Sequence, residues 1–224
     1  MTPSRGRPHL FQRMAQSMWD TRSGENGLQI IVWLDSDDPE LATYQEFCHL
    51  NRIRYLIGPR NVIHSSRWDR CLPVADGELL LHLNDDVVFQ TPGWDKMVVD
   101  EFEKYPDRIL MVHGDDLGCQ RETFGCHPII HRRWLDTVGY FIPNCFDGEF
   151  GDAVVNFIAN RIGRRKFLPF VQEHMHHLFG KAEVDQTTLD YQQRQRKQNP
   201  AQIYQDRMDD WNEAAEKLRA VMKL

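Results

Sequence analysis

The sequence predicts an α/β fold with parallel strands at the centre of its sheet and helices on its faces. Short apolar runs of strand length alternate with longer stretches whose apolar residues recur at helical spacing, the pattern of strand–helix–strand units. Two of those runs end in acidic clusters, at residues 35–38 and 84–86. The carboxyl ends of parallel strands are where such sheets bind ligands. Size agrees with this: 224 residues, 41% hydrophobic and 27% charged, can hold one generous domain with a real core.

Taken in order, residues 8–23 open with Pro8, suited to a first helical turn, and place Leu10, Phe11, Met14 and Met18 at helical spacing. Residues 28–34 form a buried-strand candidate that ends in Asp35-Ser36-Asp37-Asp38-Pro39. A helix over 40–51 and a strand over 53–57 follow, and Gly58-Pro59 breaks the chain. Residues 65–76 read as helical, Gly77 punctuates, and 78–83 is the next apolar strand, running into Asn84-Asp85-Asp86. A helix over 95–104, a strand over 109–113, a helix over 153–160 and a strand over 166–172 complete the alternation. From Gln186 the chain turns polar and Gln-rich, and 204–224 reads as an amphipathic helix (Met208, Trp211, Ala215, Leu218, Met222) that packs on the domain by default. The expected organisation is a catalytic domain over 1–185 and a helical extension over 186–224.

Composition removes several classes of function. The longest strongly apolar stretch, 28–34, is too short to span a bilayer, and residues 1–8 lack the apolar core of a secretory signal. A net charge of −6 disfavours a dedicated nucleic-acid binder, leaving only local basic patches at Arg132, Arg133, Arg161, Arg164, Arg165 and Lys166. The five cysteines include no Cys-x-x-Cys pair, so free thiols in a reducing, cytoplasmic compartment are expected. A zinc site from Cys119, Cys126, His127 and His131 matches no common structural spacing.

Three constellations carry chemistry. Asp85 and Asp86 are adjacent carboxylates at a strand end; they form either a solvated turn or, relieved by a cation, an oxygen site for Mg²⁺ or Mn²⁺. His174 and His176 face one side of an extended chain and can share a metal, or sit in a surface loop with His177. Asp147 and Asp152 flank Glu149 at the start of a helix, where a carboxylate is either a cap or a base beside a pocket. Arg5, Arg7, Arg60 and Arg67 are candidates for gripping a diphosphate.

Together these motifs resemble the glycosyltransferases of the GT-A fold, in their family 2-like group, over roughly residues 2–190. Thr2-Pro3-Ser4-Arg5-Gly6-Arg7-Pro8 is similar to that group's opening turn after its first strand. Trp33-Leu34-Asp35-Ser36-Asp37-Asp38 resembles the second-strand end that holds the nucleoside. Ala75-Asp76-Gly77-Glu78 with Leu83-Asn84-Asp85-Asp86 resembles its Asp-x-Asp passage, with Asn84 where an Asp often stands. The family's strand before the opening turn has no counterpart ahead of Met1-Thr2, so that strand is expected to be missing or shortened, or the native chain to begin further upstream.

The resemblance implies a mixed, mostly parallel sheet and a metal-dependent transfer of a hexose or pentose from a nucleotide-diphosphate sugar to an acceptor hydroxyl, with inversion. It places Pro3, Ser4, Arg5, Arg7, Asp35, Asp37, Arg67 and Asp85 at the donor nucleotide, Asp86, His174 and His176 at Mn²⁺ or Mg²⁺, and Asp152 as the base. His127, Trp134 and Asp147 are expected on the acceptor side. The acceptor stays open among glycan, small molecule, protein and modified DNA base. A nucleotidyltransferase and a non-catalytic nucleotide-binding relative are the other readings.

Overall fold

The computed structural model describes residues 1–60, 63–118, 120–148 and 150–222. Its first half is parallel throughout. Strands β1 (Thr2–Ser4), β2 (Ile31–Asp35) and β3 (Arg54–Gly58) lie in the order β1-β2-β3, with Thr2 opposite Val32 and Val32 opposite Tyr55. Every residue of β2 is buried, which is why it reads as an unbroken apolar run. Helix α1 (Pro8–Thr21) starts on its proline and buries Phe11, Met14, Ala15 and Met18, one stripe at 3.6-residue period. Helix α2 (Leu41–Asn51) buries Tyr44 and Cys48, one turn apart.

The region expected as one helix over 65–76 is instead a single turn, α3 (Ser66–Asp69), and a 3₁₀ turn at Leu72–Val74. Pro73 explains the break, since it removes an amide donor from a continuing helix. Beyond it come β4 (Leu79–Leu81), β5 (Val87–Phe89), α4 (Trp94–Glu103), β6 (Met111–Asp115), β7 (Ile129–His131), α5 (Arg132–Val138), α6 (Gly151–Arg161) and β8 (Arg165–His174). The second sheet has the order β4-β7-β6-β8-β5, with β6 and β8 parallel and the other neighbours antiparallel.

Met1 joins the two halves. Its amino group donates to Leu81 O at 3.0 Å and its carbonyl accepts from Leu83 N at 3.2 Å, a parallel pairing that continues β1 against the end of β4. Among the described residues the result is one curled sheet in which only β5 and β7 oppose the other strands. Strand β1 therefore takes part in the sheet through Thr2–Ser4. Below Met1 the facing edges of β2 and β4 border an apolar groove of about 420 Å³.

Two cores flank the sheet. One packs α1, α2 and α4 through Phe11, Met14, Tyr44, Val98 and Phe102. The other packs α5 and α6 through Trp134, Val154 and Ile158, and it includes the tail. The segment after residue 185 folds as α7 (Gln186–Gln198), α8 (Pro200–Asp206) and α9 (Met208–Val221). Helix α9 sinks Trp211, Ala214, Ala215 and Leu218 into that second core, although Leu224, the expected helix end, lies outside the described residues. No described helix is long and apolar enough to cross a membrane.

Five of the six basic residues considered for a nucleic-acid patch make contacts within the fold, and Arg161 is exposed. Arg132 donates to Ala75 O, Arg133 to Val221 O and Arg165 to Thr123 O, while Arg164 pairs with Asp107 and Lys166 with Glu101. Of the residues of the zinc reading, His131 caps α5 through its side chain, no group of three His, Cys, Asp or Glu is gathered for a metal among the described residues, and Cys119 lies outside them.

Candidate active site

The carboxyl ends of β1, β4 and β8 open into one cleft of about 320 Å³, with α6 and α7 on its other sides. One end of the cleft is built by the turn after β1. Gly6 turns the chain at φ +67°, a conformation that costs glycine little, and its amide donates to Asp38 Oδ2 at 2.9 Å. Ser4 Oγ donates to Asp85 Oδ2 at 2.5 Å and shares a 2.6 Å hydrogen bond with the Tyr44 hydroxyl, which in turn accepts from Arg7 N at 3.0 Å. Arg7 grips Asp85 in bidentate fashion, Nη2 to Oδ1 at 2.7 Å and Nε to Oδ2 at 3.1 Å. Burial raises the Asp85 carboxyl, and Arg7 opposes it.

Asp35 is 1% exposed and lies behind this surface. It accepts from Trp33 Nε1 at 3.2 Å and stands 3.5 Å from both Arg5 Nη1 and Arg67 Nη2, so it fixes two arginines instead of facing the cleft. Asp37 holds Arg5 from outside at 2.6 Å. Pro3, Ser4, Arg5, Arg7, Arg67 and Asp85 line the cleft.

Asp86 is placed by sheet register. Val87 pairs with His174 across β5 and β8, so the residue before Val87 arrives beside the end of β8. Asp85 and Asp86 sit in the turn between β4 and β5, which presents Asp85 to Arg7 and Asp86 to His174. Asp86 Oδ1 is 3.2 Å from His174 Nε2. Burial works to raise the Asp86 carboxyl, but His174, with Arg7 behind it, holds it below the ordinary carboxylate range. His176 stacks beside His174 at 4.9 Å between rings and lines the same cleft; burial pushes it down to about 4.

A cation fits this corner by its chemistry. Asp86 Oδ1 is buried and faces His174 Nε2, an O/N pair suited to Mn²⁺. No three ligating side chains are already gathered around a metal position among the described residues. Asp152 reaches the cleft from the first turn of α6.

Three expected acceptor-side residues do not line the cleft. His127 is fully buried between His82 and His174, because the strand that follows it, β7, lies inside the sheet. Trp134 is on the inner face of α5, in the second core. Asp147 supports the wall from behind, accepting from His64 N at 3.1 Å with Arg194 Nε at 3.7 Å, while Glu149 beside it lies outside the described residues. The sequence reading missed Tyr44, His64, Tyr191 and Arg194. Tyr44 carried a signal, a hydroxyl on the buried face of α2; the other three depend on where α7 docks.

The chain has the GT-A fold. A comparison with solved structures finds the same fold in proteins of very different sequence. Staphylococcus aureus TarS residues 1–349 in complex with UDP align with a TM-score of 0.56 at 13% identity, covering 76% of this chain and 58% of that one. The mannosyltransferase PcManGT from Pyrobaculum calidifontis, in complex with GDP-Man and Mn²⁺, aligns with a TM-score of 0.56 at 10% identity, covering 98% and 72%. Against another TarS structure the chain spans only 36% of that protein. A scan of protein families finds none that matches the sequence. A search of curated proteins finds no match either.

Proposed function

We propose that this chain is a glycosyltransferase that moves a hexose or pentose from a nucleoside-diphosphate sugar to an acceptor hydroxyl, with inversion. One observation carries the reading. A turn tied by Ser4, Arg7 and Asp85 and a carboxylate–imidazole corner (Asp86, His174) share one cleft at the strand ends of a GT-A fold. Two of the neighbours of known structure are complexes, one with UDP and one with GDP-Man and Mn²⁺, which supports a nucleotide-sugar donor and a divalent cation here. Free Cys48, Cys71, Cys126 and Cys145 favour a reducing, cytoplasmic setting.

Asp86, His174 and His176 would hold Mn²⁺ or Mg²⁺, which when bound supplies positive charge against the diphosphate. Arg5, Arg7 and Arg67 orient the donor from the nucleotide end. Asp152 takes the proton of the acceptor hydroxyl as its oxygen bonds to the anomeric carbon. The bond from that carbon to the phosphate oxygen breaks, and its electron pair leaves with the nucleoside diphosphate.

Thermal unfolding with Mn²⁺ and a panel of UDP- and GDP-sugars tests the reading, followed by product analysis. A ligand that binds only the folded state adds about 2.7 kcal/mol of stability at a hundredfold excess over its Kd. The expected result is a metal-dependent rise with one nucleotide and release of nucleoside diphosphate. Release of pyrophosphate would mark a nucleotidyltransferase, and no shift with any donor would defeat the transferase reading.

A further inference from the structure

Helix α6 starts on an awkward residue. Phe150, at its N-terminal boundary, is left-handed at φ +81°, a strained conformation for a bulky side chain, and it has no side-chain oxygen to accept from the first amides of the helix. Asp152 lies in that first turn. A helix end that begins this way frays unless another group ties it down. Asn156, one turn further on and 3% exposed, ties it. Its Nδ2 donates to Asp152 O at 2.9 Å and to Gly125 O at 2.9 Å, and its Oδ1 accepts from Gly125 N at 2.9 Å. The side-chain amide thus has both its donor and its acceptor atoms engaged.

The far end of this clamp is rigid. The Gly125 peptide lies so close to β6 that a side chain at 125 would stand 2.7 Å from Cβ and Cγ of His113, and glycine lets the backbone approach that far. Strand β6 is the middle strand of its sheet, between β7 and β8. Asn156 pairs with the Gly125 peptide as a neighbouring strand would, accepting from its amide and donating to its carbonyl. The next residue, Cys126, lines the same cleft as Asp152. The first turn of α6 is therefore held against the centre of the sheet by one buried side chain.

Resting on the reading of Asp152 as the base, we propose that Asn156 is a positioning residue for sugar transfer: by locking the first turn of α6 to the Gly125 peptide, it holds the Asp152 carboxylate in place against the oxygen it deprotonates. Asn156 is buried and acts only through Asp152. A displacement of about 1 Å in a reacting group can cost about a hundredfold in rate, so such a clamp has a kinetic signature of its own.

A double-mutant cycle on the full chain tests this, with Mn²⁺, UDP-glucose or GDP-mannose as donor, water in place of the acceptor hydroxyl, and release of nucleoside diphosphate as the readout. Asn156→Ala should lower kcat about tenfold to a hundredfold and leave the donor KM within about twofold. Asp152→Asn should lower kcat about a hundredfold or more. Adding Asn156→Ala to it should cost no further rate, because the base whose place Asn156 fixes is already gone. A side chain that merely supports the fold would multiply its loss with that of Asp152, so a double variant about tenfold or more below Asp152→Asn overturns the proposal. An Asn156→Ala variant with the wild-type kcat overturns it too. Residue-resolved amide exchange in the wild type needs neither a variant that folds nor a donor. The amides of Gly125 and Val154 should exchange within about tenfold of Ile158 in mid-helix, and faster exchange shows that no clamp exists. A wild type that cleaves neither nucleotide sugar defeats the donor reading and the positioning role with it; cleavage with losses that multiply defeats the positioning role alone.

Discussion

Around the turn after β1, each carboxylate has a cation or a donor: Asp35 has Trp33, Arg5 and Arg67, Asp37 has Arg5, Asp38 has the Gly6 amide, and Asp85 has Ser4 and Arg7. The half built on β5–β8 differs in kind: Asp86 has an imidazole, His174 Nε2 at 3.2 Å. Buried atoms without a hydrogen bond occur in both halves among the described residues, Asp35 Oδ2, Asp85 Oδ1 and Arg67 Nε in the first, and Asp86 Oδ1, both ring nitrogens of His127, Nε2 of His113 and both amide atoms of Gln172 in the second. Buried polar groups are normally satisfied, because an unmade bond costs about 1–3 kcal/mol. The first half sets its carboxylates mostly against guanidinium groups, and the second holds its reserve mainly on imidazoles and an amide. Asp85 and Asp86, neighbours in the chain, fall on opposite sides of that divide.

Substituting each of the pair separates the two roles. Asp86→Ala should lower sugar transfer by about a hundredfold to a thousandfold, the loss typical of removing a group that stabilises developing charge. Its melting temperature should stay level or rise, since a strained acceptor leaves the core. Asp85→Ala should do the opposite to the fold, losing about 3 kcal/mol in urea unfolding, because Arg7 is left half-buried without its counter-charge. Equal stability losses in the two variants would erase the division between the halves.

The sequence carried the first half of this picture more clearly than the second. Alternating apolar and helical runs made the sheet legible, and Asp85-Asp86 at the end of an apolar run marked the cleft. Local pattern could not tell which carboxylate would face Arg7, because that follows from the pairing of β5 with β8, and β5 has only three residues. It misplaced His127 and Trp134 for a related reason. Pro128-Ile129-Ile130 signals a strand but not its position in the sheet, and β7 proves to lie between β4 and β6. The wall made by α7 was illegible because a polar, Gln-rich helix has no apolar stripe to announce the surface it covers.

His113 probes the reserve of the second half through pH. It is fully buried on β6, and burial pushes its folded-state value down to about 4, against about 6.5 in an unfolded chain. A depressed histidine means that the unfolded chain binds the proton first. Its stabilising contribution is whole above pH 6.5 and is lost as the pH falls from there through 4, at up to about 1.4 kcal/mol per unit. Between pH 6.5 and 5 that amounts to about 2 kcal/mol. Urea midpoints for the wild type and His113→Gln at the two pH values isolate this share, since the other histidines act in both. Parallel slopes would mean that water or a protein donor already satisfies Nε2.

Asp37→Asn tests the other half where it is weakest. The Asp37–Arg5 contact is short, 2.6 Å, but the Asp37 side chain is 56% exposed. Exposed pairs lose in desolvation and side-chain ordering most of what they gain in attraction, so stability should change by about 0.5 kcal/mol or less. Arg5 keeps Asp35 behind it at 3.5 Å, which should limit the weakening of nucleotide binding to about threefold. A loss above about 1 kcal/mol in urea unfolding would show that the pair is coupled to Asp35 and Arg67 as one network, for which independent pairs are the wrong description. The double variant Asp37→Asn with Arg5→Gln decides between these: additive losses mean separate contacts, and a combined loss smaller than the sum means a nucleotide end that yields as a unit.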